Sequence, residues 1–313
     1  MSWIFYTIAA TILQTFRNLE QKALNKKLDS LTVSWSRFIL PLPFAILVFS
    51  YTLQSVTTDF AFYCLVTAIA QVGGNICLLQ AFKSKNFSIG IAFYKTEVLQ
   101  TMLIGLLFFG QTVSFVGLVA IFITTIGVIA MSGSVFNSGL KKFLKSLNDR
   151  SAFFGLLCGF FFSISGFSLK LGSQALLDLG YSAIKAPLMV LMWVILFQNI
   201  LFFIVKFYQK RLMKDLNSLF NSENKFIFLK TTILSFAGSV CWFTAFSVGK
   251  VIDIKVVGQL ELILAIIVSH FILKEKLNRI QALGIALTAV GILVLILTSE
   301  QGLQSSLLNF HLH

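Results

Sequence analysis

Long apolar runs alternate with short polar stretches along the whole chain. Each run is about the ~20 residues that a helix, rising 1.5 Å per residue, needs to cross ~30 Å of hydrocarbon. An outer-membrane barrel would instead show short alternating strands. We therefore predict an all-α integral membrane protein with ten transmembrane helices. The ten runs are 3–21, 33–53, 60–82, 87–109, 112–133, 151–175, 185–208, 226–249, 252–273 and 278–298.

The composition excludes a soluble fold. Of the 313 residues, 57% are hydrophobic and only 12% are charged, against roughly 25% charged residues in soluble domains. The mean hydropathy is +0.88. The net charge of +13 does not indicate a nucleic-acid partner, because the basic residues lie in short loops between apolar runs. The lipid bilayer is the partner that this composition predicts.

The loop charges predict an orientation. If the odd-numbered loops share one side of the membrane, that side holds seventeen Lys and Arg residues, whereas the other holds only Lys185, Lys250 and Lys255. Positive loops face the cytoplasm. We therefore expect both termini on the non-cytoplasmic side of a bacterial inner membrane.

The second half of the chain repeats the first. The pattern of the stretch Glu97 to Ile129 occurs again 164 residues later. Under this offset Glu97 corresponds to Glu261, Thr124 to Thr288 and Gly127 to Gly291. We divide the chain into a first five-helix repeat (1–135), a basic linker (136–150), a second repeat (151–298) and a polar tail (299–313). Five spans per repeat give the repeats opposite topologies. Two inverted five-helix repeats are typical of secondary transporters.

With this repeat pattern, the chain resembles the EamA-like ten-helix transporters of the drug/metabolite transporter superfamily. The resemblance rests on Leu260-Glu261, on Leu273-Lys274-Glu275-Lys276-Leu277, and on Gln281, Gly284 and Gly291, with Ser36-Arg37-Phe38 in the second run. It implies that Arg37, Glu275, Gly284 and Gly291 are structural motif residues, and that spans three, four, eight and nine line a central cavity.

The sequence departs from the resembled family in three ways. The family's proline after the buried glutamate is Val98 in the first repeat and Leu262 in the second, so a helix break there is not assured. The turn glutamate is replaced by Gln111 in the first repeat. Family members usually keep both termini in the cytoplasm, opposite to the orientation that the charges predict. With only three prolines in the chain, we expect mostly unbroken helices and one kink, at Pro41 and Pro43.

Two buried glutamates are the main candidates for function. Glu97 and Glu261 each lie about halfway along a predicted span. A charge there costs at least ~2.5–3.5 kcal/mol, so it should face a cavity or a partner. The functional interpretation is a carboxylate that contacts solute or carries a proton. The alternative is a structural hydrogen bond between helices.

The other candidates are polar residues within the apolar runs. Lys95 and Arg17 are the natural counter-charges to the glutamates. Gln14 belongs to a polar stripe on the first span, which could line a cavity or simply mark the membrane interface. Trp242 could stack on a planar or cationic solute. The complete set of candidate substrate-binding or coupling residues is Glu97, Glu261, Lys95, Arg17, Gln14, Gln71, Asn75, Trp242 and Gln259.

No motif for catalysis, metal binding or a nucleotide is present. The four cysteines lie in apolar runs without metal spacing, and His270 has no histidine partner four residues away. We predict neither an enzyme nor a cofactor, and gradients rather than ATP as the driving force. The predicted function is secondary transport of a small metabolite, amino-acid-like or drug-like, by alternating access with proton or exchange coupling. A channel or a receptor-like scaffold is the alternative, and monomer and homodimer both remain open.

Overall fold

The structure, a computed structural model, describes residues 2–83, 93–131, 150–273 and 279–310. All regular secondary structure in these ranges is α-helical, as the apolar runs predict. The helices are α1 (Ser2–Asn25), α2 (Ser30–Ile39), α3 (Leu42–Thr52), α4 (Thr58–Lys83), α5 (Glu97–Phe109), α6 (Phe115–Met131), α7 (Arg150–Asp178), α8 (Lys185–Tyr208), α9 (Leu212–Phe220), α10 (Ser222–Val248), α11 (Val251–Val257), α12 (Leu260–Leu273) and α13 (Arg279–Phe310).

Five of the described helices are long and apolar enough to cross a membrane: α4, α7, α8, α10 and α13. The bent pair α2 and α3 would make a sixth span, whereas α5 and α6 are apolar but shorter. Large apolar side chains such as Leu107 and Phe108 lie more than 70% exposed, which suits lipid rather than water. The protein is therefore a multi-pass membrane protein, while the count of ten spans stays a prediction. The last helix also continues into the predicted polar tail.

The kink predicted in the second span is present. Helix α2 ends at Ile39 and α3 begins at Leu42, with an angle of 53° between them. Pro41 is the N-cap residue of α3, a position where a missing backbone N–H costs little. The expectation of unbroken helices is wrong for the ninth predicted span, 252–273, because α11 ends at Val257 and α12 begins at Leu260. This break contains no proline.

The chain folds as two compact units, each made of two separate stretches. The first unit contains Cys77–Ser163 and Gly249–His313, and the second contains Ser2–Ile76 and Ile164–Val248. The boundaries fall within α4 and α7. Under the offset of 164 residues, each unit combines corresponding pieces of the two predicted repeats. The predicted linker, 136–150, lies outside the described residues except for Arg150.

Helices α6 and α13 pack closely in the first unit through glycines. A Cβ atom on Gly291 would lie 2.8 Å from the Ala120 carbonyl oxygen, and one on Gly127 would lie 2.7 Å from the Thr288 backbone nitrogen. Gly291 also faces Thr124, so the contacts are reciprocal under the 164-residue offset. Gly284 likewise meets Gly127. Small residues that allow such backbone approach are what helix packing in lipid requires.

A buried ion cluster ties together three segments of the second unit: the start of α2, the end of α8 and the start of α9. The Lys206 ammonium is fully buried and donates to Asp215 Oδ2 at 2.6 Å, Thr32 Oγ1 at 2.7 Å and Asp29 Oδ2 at 3.3 Å. Arg211 lies 3.4 Å from Asp215 and 3.6 Å from Asp29. Burial raises the pKa of Asp29, but the hydrogen bond from Thr32 and the charge of Lys206 outweigh it and hold that pKa below 3.8. Each buried charge therefore has a partner.

We expect Gly291→Ala to destabilise the protein, because the added methyl group would collide with the α6 backbone, which cannot yield without moving the helix. The expected loss is ~1–3 kcal/mol, as for other overpacked sites. Gly172→Ala is the matched control, since its added Cβ would meet only side chains at 3.5 Å or more. Thermal unfolding in detergent measures both, and equal midpoints for the two variants would contradict this account of the glycine contact.

Candidate functional site

The break between α11 and α12 forms by a local change in backbone hydrogen bonding. Gln259 N–H donates to the Val256 carbonyl at 3.0 Å, and Glu261 N–H donates to the Gly258 carbonyl at 3.1 Å. These bonds reach three residues back instead of four, which tightens the chain into a turn. The Lys255 carbonyl, freed at the end of α11, accepts from Gln259 Nε2 at 3.4 Å. The Gln259 side chain thus provides the hydrogen bond that lipid could not give to the Lys255 carbonyl.

The first repeat has a turn at the corresponding position. Phe93 and Tyr94 are helical, Lys95 and Thr96 form a turn, and α5 begins at Glu97. The Phe93 carbonyl accepts from the Thr96 backbone at 3.2 Å and from Thr96 Oγ1 at 2.7 Å. Both predicted functional glutamates therefore lie in the first turn of a helix that follows a turn. No proline follows either glutamate.

Glu97 forms a buried ion pair with Lys255. Their side chains are 6% and 15% exposed, and Lys255 Nζ donates to Glu97 Oε1. The pair joins the start of α5 to α11, the short helix that precedes the second break. Removing one member would leave an uncompensated charge in a low-dielectric interior, so each residue supplies the partner that the burial of the other requires.

Two hydroxyl groups, one from α5 itself and one from α7, support the position of Glu97. The Glu97 carbonyl oxygen accepts from Thr101 Oγ1 at 2.8 Å and from Ser163 Oγ at 3.3 Å, and the two hydroxyls are 2.8 Å apart. Gly159 on α7 permits this approach, because a Cβ there would lie 3.3 Å from the Glu97 Cα atom and 2.9 Å from Gln100. The start of α5 is therefore fixed by packing on α7 as well as by the ion pair.

Two lysines and two aromatic rings adjoin the glutamate. Lys95 is 8% exposed, and its Nζ lies 4.9 Å from the centre of the Tyr94 ring. Tyr94 meets Phe162 edge to face at 6.0 Å, and Lys255 Nζ lies 5.8 Å from the Phe162 ring centre. The two ammonium groups therefore flank one aromatic pair, and each gains a cation–π interaction.

The second break carries the other two predicted residues. Gln259 is 5% exposed, and its Oε1 atom has no hydrogen-bond partner among the described residues. Glu261 is half-buried in the first turn of α12 and has an interaction partner. Gln259 and Glu261 correspond to Lys95 and Glu97 under the 164-residue offset. The first unit thus holds two turns with matching polar positions.

The remaining candidates lie in the second unit, where several form contacts with one another. Trp242 Nε1 donates to Gln14 Oε1 at 2.9 Å, which brings the predicted polar stripe of α1 to α10. Gln71 Oε1 accepts from Gln198 Nε2 at 2.7 Å. Asn75 is half-buried on α4. Gln198, buried on α8, was missed by the sequence analysis, although an amide within an apolar run was a usable signal.

Both arginines among the candidates also lie in the second unit. Arg17 donates from Nε and Nη2 to Asn18 Oδ1 at 3.2 and 2.8 Å, and Arg37 lies 5.0 Å from the Phe38 ring centre. Gly284 and Gly291 lie in the first unit, in the glycine contact described above. Glu275 lies outside the described residues.

The predicted loop position of Lys255, near the start of a predicted span, is wrong. The structure places Lys255 in α11, paired with Glu97. Lys206, one of the seventeen basic residues predicted to lie in loops, is instead fully buried in the ion cluster. Both are basic residues within four residues of the end of an apolar run. The structure thus supplies a counter-charge to Glu97 that differs from the predicted Lys95 and Arg17.

The family prediction is confirmed by comparison with known proteins. Residues 149–297 match the model of the EamA-like transporter family. A solved structure described only as "Crystal structure of protein" superposes with a TM-score of 0.69 at 12% identity, covering 96% of this chain and 98% of its own. That likeness supports the fold alone. No curated protein matches the chain by sequence. Residues 149–297, just under half of the chain, are thus similar to the EamA-like transporter family, a drug/metabolite type of transporter, and the apolar helices fit a multi-pass membrane protein of that type.

We expect Lys255→Met to destabilise the protein by ~3–5 kcal/mol, because Glu97 would be left buried without its cation. The double variant Glu97→Leu with Lys255→Met should recover most of this loss, since both charges are then absent. Unfolding midpoints in detergent measure the coupling between the two positions.

Lys230→Met is the matched control for this pair. Its partner Glu20 lies 3.7 Å away and both side chains are partly exposed, so its removal should cost no more than ~1 kcal/mol. A double variant as unstable as the sum of its single changes would show that Glu97 and Lys255 are not coupled.

Proposed function

We propose that the protein is a secondary transporter that moves a small organic metabolite by alternating access. The solute site lies at the two turns of the first unit, around the Glu97–Lys255 pair. The observation that carries this proposal is the presence of polar turns, with buried charge, at corresponding positions of the two repeats. Interrupted membrane helices of this kind supply the freed backbone groups and helix ends that bind solutes in other secondary transporters.

The proposal includes ten spans arranged as two inverted repeats of five. The reciprocal contacts of Gly127 and Gly291 with Thr288 and Thr124 support it, because a two-fold relation between the repeats would produce such pairs. The basic loops favour both termini on the non-cytoplasmic side of a bacterial inner membrane. A Glu97 carboxylate that exchanges its lysine partner for a proton would couple transport to a gradient.

The proposed function predicts that Glu97→Gln abolishes solute redistribution in cells. A neutral amide cannot replace a charge-assisted contact worth ~1.5–3 kcal/mol, so uptake or export should fall by ~10-fold or more. The measurement is a metabolite profile of cells and medium, with Glu261→Gln examined in parallel. Glu223→Gln is the matched control, because Glu223 is 74% exposed on α10. It should behave as wild type.

Two outcomes would contradict the proposal. Redistribution that survives Glu97→Gln unchanged would remove Glu97 from the solute path. Reconstituted protein that conducts the identified metabolite without saturation, and without exchange against unlabelled metabolite, would favour a channel. A scaffold would redistribute no metabolite in either system, although the protein reached the membrane.

A further inference from the structure

We propose that the solute is an organic monoanion whose carboxylate binds Lys95. This inference rests on the transport function proposed above and names the class of solute that the same site would take. The inference rests on three observations. Lys95 is buried in the first unit without a counter-ion among the described residues, the charges around it leave a positive excess, and the rings of Tyr94 and Phe162 lie beside it.

Among the described residues, Lys95 is a buried cation with no carboxylate partner. It is 8% exposed, and it pairs with neither Glu97 nor Glu261. Within the same ranges, its ammonium has a cation–π contact with the Tyr94 ring, 4.9 Å from the ring centre, and no ion pair. The carboxylate of Glu97 is held by Lys255. A buried ammonium is unfavourable unless it is paired. An anionic ligand would supply the missing partner.

The local charge balance favours a monoanion. Lys95, Lys255 and Glu97 all interact electrostatically with Cys158, so the three charges share one neighbourhood. Within this group of three, which does not include Glu261 on the other turn, two lysines against one glutamate leave one positive charge. A carboxylate neutralises that charge, whereas a phosphate monoester, with up to two negative charges near neutral pH, would leave a buried excess of negative charge.

The surroundings of the cation favour an organic skeleton with an apolar part. The edge-to-face pair of Tyr94 and Phe162 lies between the two lysines, and such rings bind apolar or aromatic groups. On the other turn, Gln259 Oε1 is buried and accepts no hydrogen bond from the described residues. It can accept a hydrogen bond from a hydroxyl or an amide N–H of the solute.

Three compounds of one skeleton test the charge preference directly: 3-phenylpropanoate, 3-phenylpropanamide and 3-phenylpropylamine. Each is titrated against the purified full-length protein in detergent, and the shift of the unfolding temperature reports binding. We expect saturable stabilisation by the carboxylate, with an affinity ~10-fold or more above that for the amide and the amine, because only the carboxylate makes a charge-assisted bond to Lys95.

Variants then assign the preference to Lys95. Lys95→Gln should remove the advantage of the carboxylate over the amide, whereas Lys95→Arg, which keeps the charge, should retain part of it. Lys250→Gln is the matched control, since it removes the same charge from an exposed residue at the start of α11. It should bind all three compounds as wild type does. The comparison of compounds on the wild type needs no variant to fold.

Several results would overturn the inference. Equal affinity for the three compounds, preference for the amine, or absence of binding by the carboxylate would each exclude Lys95 as a carboxylate site. Loss of the preference in Lys250→Gln would assign it to general surface charge instead. These results would leave the transport function standing if cells expressing wild type still redistribute a metabolite. Failure of that redistribution would refute the transport function itself.

Discussion

A carboxylate buried among apolar helices requires a cation beside it, and in the first unit Lys255 is the cation that pairs with Glu97. Water cannot solvate the charge, so its partner has to come from the chain. The pair fixes the start of α5 against α11, while the hydroxyls of Thr101 on α5 and Ser163 on α7 bind the Glu97 carbonyl oxygen. Lys95, which is also buried, has no carboxylate partner among the described residues, because the Glu97 carboxylate pairs with Lys255.

The turn between α11 and α12 shows how a membrane helix can be interrupted without proline. Three backbone hydrogen bonds around Gly258 span three residues instead of four. The Gln259 side chain donates a hydrogen bond to the Lys255 carbonyl. The cost of breaking the helix is therefore limited to weaker hydrogen-bond geometry. A turn held by such bonds is easier to rearrange than a continuous helix, as the proposed alternating access would require.

The sequence was sufficient for the membrane class, the family and the kink at Pro41, because each depends on local composition or on a short motif. It also selected Glu97, Lys95, Gln259 and Glu261, since charges and amides within apolar runs are costly. It could not pair Glu97 with Lys255. These residues are 158 positions apart, and no local pattern encodes which cation a folded chain brings to a carboxylate. The break at Gly258 was missed for a related reason, since it depends on side-chain capping rather than on proline.

Hydrogen–deuterium exchange tests most directly whether the two turns form the solute site. The measurement compares the purified protein with and without the metabolite that cells expressing it redistribute. This account predicts slower exchange on solute addition at the backbone amides of 93–101 and 255–263, in both turns together. Slower exchange confined to the second unit, for example around the Gln14–Trp242 contact, with neither turn affected, would contradict it.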